Sequence, residues 1–326
     1  MDFQLNEDQA ALVAAVQSIL RDHDEVPQSE RTSYSFFDAQ LQRQLTDGGF
    51  LDAARDLGPL EAALVVFEVA RVPAVVETGA SALVVPALFP EERVVGPVAL
   101  VPGDALGKAH RNLTIARTAL VDLGADAGVI SVAPGDVAPV ESIFAYPYGR
   151  FVSPPNPAQI RRLPGAGPLL RQWWRVALAA EAAGAAQAAI AFTIDYVKQR
   201  QVFGRSVGSF QAVHHRLAQC HQIASGIQYL ALRAAWSGQS QDADIAACYA
   251  QQHVQKLIFD LHQFNGAMGV TNEHLLHFWT YRLRALQAEV GGAHKAALDI
   301  ARARGEQAPP SAVAHDAPHT LVSGCV

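Results

Sequence analysis

Arg200-Gln-Val-Phe-Gly-Arg-Ser-Val-Gly-Ser-Phe-Gln211 interrupts the longest helical pattern in this sequence. Alanine-rich runs without proline flank it, Leu169 to Arg200 before and Gln211 to Ser237 after. Two glycines and two serines within the stretch break both helices and force a tight turn. That turn groups a cation, an aromatic face and glycines, which suits it to an anionic ligand with a flat ring.

Downstream, Asp242 to Gln263 and Leu286 to Arg304 complete four long helices with short connections, a bundle. Upstream, the N-terminal third also reads as helical. Asn6 with Gln9 forms a capping box, and Leu12, Val16, Ile19 and Leu20 share one face. Phe36 to Leu45 predicts a second helix, Pro59 opens a third, and residues 75–88 read as a buried fourth. Between about 94 and 160 the texture changes. Glycines and prolines punctuate Val98–Val101, Leu113–Ile115, Ala119–Leu123 and Val129–Val132, strands of a small antiparallel sheet or barrel. The fold class is mainly α with a small β domain: an N-terminal helical domain over 1–90, a shortened β domain over 91–165, a C-terminal bundle over 166–306 and a disordered tail over 307–326. There is no GxGxxG and no strand-turn-helix alternation, which argues against a Rossmann unit.

Half of the 326 residues are hydrophobic and only 17% are charged, a globular composition. A net charge of −6 argues against nucleic acid as the main partner. The 3 cysteines form no CxxC pair, which fits a reducing cytoplasm better than a disulfide framework or a zinc site. No signal-peptide pattern opens the chain and no uninterrupted apolar run is long enough for a membrane span, so a cytoplasmic location is expected. The 12 histidines include no HExxH.

Tyr196-Val-Lys-Gln-Arg-Gln-Val-Phe-Gly204, with Gln211-Ala212 following, resembles the signature of the acyl-CoA dehydrogenases. Gln263-Phe-Asn-Gly-Ala-Met-Gly269 is similar to the second motif of that family. Phe3-Gln-Leu-Asn-Glu-Asp-Gln9 and Ala125-Asp-Ala-Gly-Val-Ile-Ser-Val132 match family patterns less specifically. The likeness spans most of residues 1–304 and is strongest in the bundle. It implies FAD as cofactor and an acyl-CoA thioester as substrate. A carboxylate base would take the α-proton while hydride leaves the β-carbon for flavin. It further implies that Arg200, Phe203, Gln211, Gln263, Gly266 and Gly269 grip the adenine and pyrophosphate half of an FAD held mainly by a neighbouring subunit. Singly, each has a plainer account as a core aromatic, a helix-end charge or a helix stop. Together and in family order they favour the grip.

The chain departs from the family where the chemistry would sit. In most members the base is a glutamate before a glycine. Here Ala285-Leu-Gln-Ala-Glu-Val-Gly-Gly-Ala-His294 puts Val290 at that position and Glu289 one residue early, a slip of about 100° on a helical turn. Other members carry the base near the start of the first bundle helix, where this chain has Trp174, with Glu181 two turns further on. The loop that holds the flavin ring has no counterpart in Val98-Ala-Leu-Val-Pro-Gly-Asp-Ala-Leu106, and residues 90–165 contain no tryptophan. The resemblance therefore implies the degenerate subunit of a heterotetrameric α2β2 actinobacterial steroid-type acyl-CoA dehydrogenase. Such a subunit has no catalytic residue of its own. Its partners are a catalytic homologue, the acyl-CoA and an electron-transfer flavoprotein, with no membrane. Two other assignments stay open: a self-sufficient homotetramer using Glu289 or Glu181 as base, and a flavin-free scaffold.

Overall fold

The computed structural model describes residues 4–307. Helix α1 (Glu7–Leu20) opens on the expected capping box, with Asn6 Oδ1 accepting from Gln9 N at 2.8 Å and Gln9 Oε1 accepting from Asn6 N at 3.1 Å. Helix α2 (Ala39–Asp47) begins later than the apolar pattern predicted, because the Asp38 carboxylate caps the Gln40 and Leu41 amides. The short α3 (Ala53–Asp56) leads into α4 (Pro59–Val69), which starts on proline and is buried from Ala62 to Val69.

Residues 75–88 are not the single helix expected. Phe37 and Val75 first pair as a parallel bridge, and the helix that follows is a π-turn over Ala80–Val84 running into α5 (Val85–Leu88). Glu77 accounts for the late start. Its buried carboxylate accepts from Ala80 N and Ser81 N at the new helix and from Val98 N at 3.0 Å in the β region. One side chain thus ties the N-terminal helices to the sheet.

Strands β1 (Val98–Pro102), β2 (His110–Arg111), β3 (Thr118–Leu123), β4 (Asp126–Ser131), β5 (Val137–Pro139), β6 (Tyr148–Phe151) and β7 (Arg161–Leu163) follow. They make two sheets, ordered β1-β3-β4-β7 and β2-β6-β5. The expectation of a purely antiparallel sheet fails at β1–β3, which pair in parallel from Val98↔Thr118 to Pro102↔Asp122. A crossover through β2 joins them, where local pattern suggested hairpins only. Leu113–Ile115 is a turn rather than a strand: Asn112 takes φ 62°, and Leu113 plugs the core without pairing.

From Gly167 the chain is helical: α6 (Gly167–Gln199), a hairpin of β8 (Gln201–Val202) and β9 (Arg205–Ser206), then α7 (Gln211–Ser237), α8 (Ser240–Asn265), α9 (Leu276–Leu286) and α10 (Gly292–Gln307). The expected single helix from Leu286 to Arg304 is divided. Val290, Gly291 and Gly292 all take positive φ, which an α-helix cannot accommodate, so α9 ends and α10 begins anew. The tail assignment beyond Gln307 lies outside the described residues.

Helix α6 is the axis of the bundle. Its alanines are buried on nearly every side, the mark of a helix enclosed by others. It is long and apolar enough to cross a membrane, and 72% of its most apolar window is buried within the protein. At Gly184 a Cβ would stand 2.2 Å from Phe67 O, so α4 and α6 cross at backbone contact. Helix α9 pins the same region from the other side. The buried Arg282 guanidinium donates to Phe278, Ala70, Val72 and Ala74 carbonyls, and Trp279 Nε1 donates to Arg71 O. The Ala70, Val72 and Ala74 carbonyls cluster where α4 ends, so the cation also answers the negative end of that helix dipole.

Candidate functional site

The two sequence motifs meet at one end of the bundle. Asn265 Nδ2, within the second motif, donates to Thr193 Oγ1 of α6 at 2.9 Å, and Gly208 packs against Val197. Arg200, Gln211 and Gln263 are all exposed there. Helix α7 starts without a side-chain cap, which leaves the Gln211 and Ala212 amides without a partner among the described residues. Arg205 stacks on Phe210 with 3.9 Å from guanidinium carbon to ring centroid, which braces the turn.

Phe203 is the unusual member. With Gly204 it forms a two-residue hairpin loop with both residues at positive φ, 49° and 77°. Such loops favour Asn-Gly; a phenylalanine there is strained by about 1–2 kcal/mol. It is 96% exposed, so nothing among the described residues repays the strain. Gly266 (φ 59°) takes a conformation reserved for glycine, and a Cβ on Gly269 would lie 2.7 Å from Asn265 Cβ. Both glycines thus have a local reason as well as the role the resemblance implies. Gly204-Arg-Ser-Val-Gly208 spells the letters of a nucleophile elbow, but Ser206 lies in a two-stranded ribbon and not at a strand-to-helix turn.

The second locus is internal, and sequence reading missed its centre. Arg111 on β2 inserts between the two carboxylates considered as bases. Its Nη1 donates to Glu181 Oε2 at 2.9 Å, while Nε and Nη2 reach both oxygens of Glu289, the latter at 3.2 Å. Trp174 Nε1 donates to Glu289 Oε2 at 2.8 Å, and Tyr146 Oη donates to Glu181 Oε1 at 2.6 Å. All these side chains are largely buried. Burial pulls the Arg111 pKa down, but Glu181 and Glu289 outweigh it and hold the guanidinium charged. Burial, then Glu181, push the Tyr146 phenol well up; burial, then Glu289, push Tyr148 up to about 12.

This cluster closes the floor of a cleft of about 660 Å³ lined by Leu100, Pro102, Tyr148, Trp174, Glu289 and Val290. Trp174 and Val290, the residues that the resemblance aligns with the family's two base positions, therefore face one space, and the neighbouring carboxylates have their oxygens taken by Arg111, Trp174 and Tyr146. No signal in the sequence marked Arg111, whose partners lie 70 and 178 residues away.

Residues 172–304 match the acyl-CoA dehydrogenase C-terminal domain. Acyl-CoA dehydrogenase IpdE2 of Mycobacterium tuberculosis is 31% identical over 107 residues, covering 33% of this chain and 34% of that protein. The match thus spans about a third of that relative's length. Among solved structures, one chain of the ChsE4-ChsE5 complex from Mycobacterium tuberculosis superposes with a TM-score of 0.74 at 23% identity, over 95% of this chain and 100% of that one. The Tcur3481-Tcur3483 steroid ACAD G363A variant gives 0.72 at 23%, over 93% and 99%. At these identities the likeness is one of fold. Residues 172–304 are thus similar to the acyl-CoA dehydrogenase C-terminal domain, and the fold as a whole is that of the acyl-CoA dehydrogenase structures.

Proposed function

We propose that this chain is the non-catalytic subunit of a heteromeric acyl-CoA dehydrogenase, supplying the adenine and pyrophosphate side of an FAD site to a catalytic partner of the same fold. One observation carries the reading: Arg111 holds Glu181 and Glu289 in ion pairs, while Trp174 and Val290 stand where a base would be. FAD, the family's cofactor, accepts the hydride when bound. The exposed end of the bundle fits its phosphate half: Arg200 offers a bidentate donor, the uncapped start of α7 offers free amides, and Gln211 and Gln263 offer amide side chains. Strained, exposed Phe203 fits a surface made to be covered.

The complex would dehydrogenate an acyl-CoA thioester at its α,β bond and pass electrons to an electron-transfer flavoprotein. The likeness in fold to a heteromeric complex and to a steroid enzyme supports a steroid side-chain ester as that substrate. Co-expression with a catalytic homologue, followed by a flavin count, tests the proposal. The expected result is an active complex with one FAD per pair of chains, and a colourless, inactive chain when expressed alone. A yellow, active homo-oligomer that loses turnover on Glu289→Gln or Glu181→Gln would overturn it.

A further inference from the structure

The two gripping motifs sit on different helices, and neither motif fixes its distance from the other. Gln211 opens α7, and Gln263 lies in the last turn of α8. The helices run antiparallel, with Gly226 of one against Tyr249 of the other further along. About one turn inward from the motifs, a single carboxylate bridges the seam. Asp260, with its side chain 2% exposed, accepts from Arg216 of α7 through one oxygen. Its other oxygen accepts from Lys256 Nζ at 2.8 Å and lies 3.6 Å from Cys220 Sγ. Arg216 also lies 5.0 Å from the ring centroid of Phe264, the residue after Gln263.

The geometry separates the two cations by task. Lys256 is one turn from Asp260 on the same helix and so orients the carboxylate without crossing the seam. Arg216 alone carries the charge pair across to α7, and its contact with Phe264 extends that grip to the second motif. Burial pushes the Asp260 carboxyl up, but the bonds from Lys256 and Arg216 outweigh it and hold it below the ordinary range. Only the Asp260 end of this pair is buried, so it adds little stability beside apolar packing, and what it offers is a preferred register of the two helices.

We infer that Asp260, acting through Arg216, is a positioning residue that sets Gln211 and Gln263 at the spacing the cofactor requires. The inference rests on the reading of this end of the bundle as the adenine side of an FAD site. Asp260 is not a catalytic residue, since it is buried in the seam while the gripping side chains face outward.

The test uses the co-expressed complex and compares wild type, Asp260→Asn, Gln263→Ala and the double variant. The readout is the rate of FAD release, followed by flavin fluorescence well below the unfolding transition. Asp260→Asn is expected to release FAD about tenfold faster, and less than about twofold faster once Gln263 is already alanine, as for groups acting through one network. Cys220 gives a second readout. Its thiol is pushed up to about 12 by burial and then by Asp260. With Cys248 and Cys325 replaced by serine, labelling by an aromatic disulfide should speed up in Asp260→Asn and slow down when FAD is bound. Arg216→Gln, which leaves Asp260 paired with Lys256, should repeat the pattern if Asp260→Asn does not assemble. An Asp260→Asn complex that melts earlier but releases FAD at the wild-type rate would show a purely structural role and sink the inference. So would equal accelerations in both Gln263 backgrounds. A wild-type complex without FAD would instead remove the reading of the site, and this inference with it.

Discussion

Arg111 and Glu289 lie 178 residues apart in sequence and meet as a two-point ion pair on the floor of the central cleft. Glu181 shares the same guanidinium. One cation therefore satisfies both carboxylates considered as bases, and it ties β2 to α6 and to the turn before α10.

Removing that cation should be costly. Arg111→Met leaves Glu181 and Glu289 buried without a counterion, and such a break destabilises by about 3–5 kcal/mol. Urea unfolding measures this, and adding Glu181→Gln and Glu289→Gln should restore most of the loss.

Phe203→Asn should act in opposite directions on the chain and on its assembly. Asparagine suits the left-handed hairpin position, so the isolated chain should gain up to about 1 kcal/mol. The exposed aromatic face is lost at the same time, so FAD retention in the complex should fall. Denaturant unfolding and flavin content report the two effects separately.

Gly184→Ala sets helix propensity against packing. Alanine gains about 1 kcal/mol in a helix interior, but the new Cβ falls 2.2 Å from Phe67 O. Overpacking against backbone costs about 1–3 kcal/mol. The clash should win, and the variant should melt earlier by differential scanning calorimetry.

Asp260 and Asp299 predict an acid limb. In each, burial raises the carboxyl, and bonds from a lysine and an arginine bring it below its usual 3.8. A lowered folded value gives stability that is complete above 3.8 and lost as pH falls below it. Asp260→Asn should flatten that acid limb relative to wild type in urea titrations between about pH 2 and 4.

What the sequence disclosed was local in origin. The cap at Asn6, the proline at the start of α4 and the break between α6 and α7 are decided by neighbours in the chain. The parallel β1–β3 pairing was not legible, because which strands pair depends on a crossover and not on the strands' own pattern. Helix α9 was hidden for a different reason. Its His277 and Arg282 are both buried, with partners around residues 33 and 70–74 that no local pattern reveals. Arg111 was likewise invisible beside His110 and Asn112, since its meaning comes from α6 and the turn before α10. The candidate motif residues could be named from the sequence, while the strain at Phe203 needed a backbone.

That strain bears on how much of this protein a cell can keep. A folded state carrying an uncovered aromatic on a left-handed turn is stabilised by whatever covers it, by mass action. Supply of the covering molecule would then set the lifetime of the folded chain, and any surplus would fall to proteolysis. Matched production of both would be selected through turnover as well as through activity.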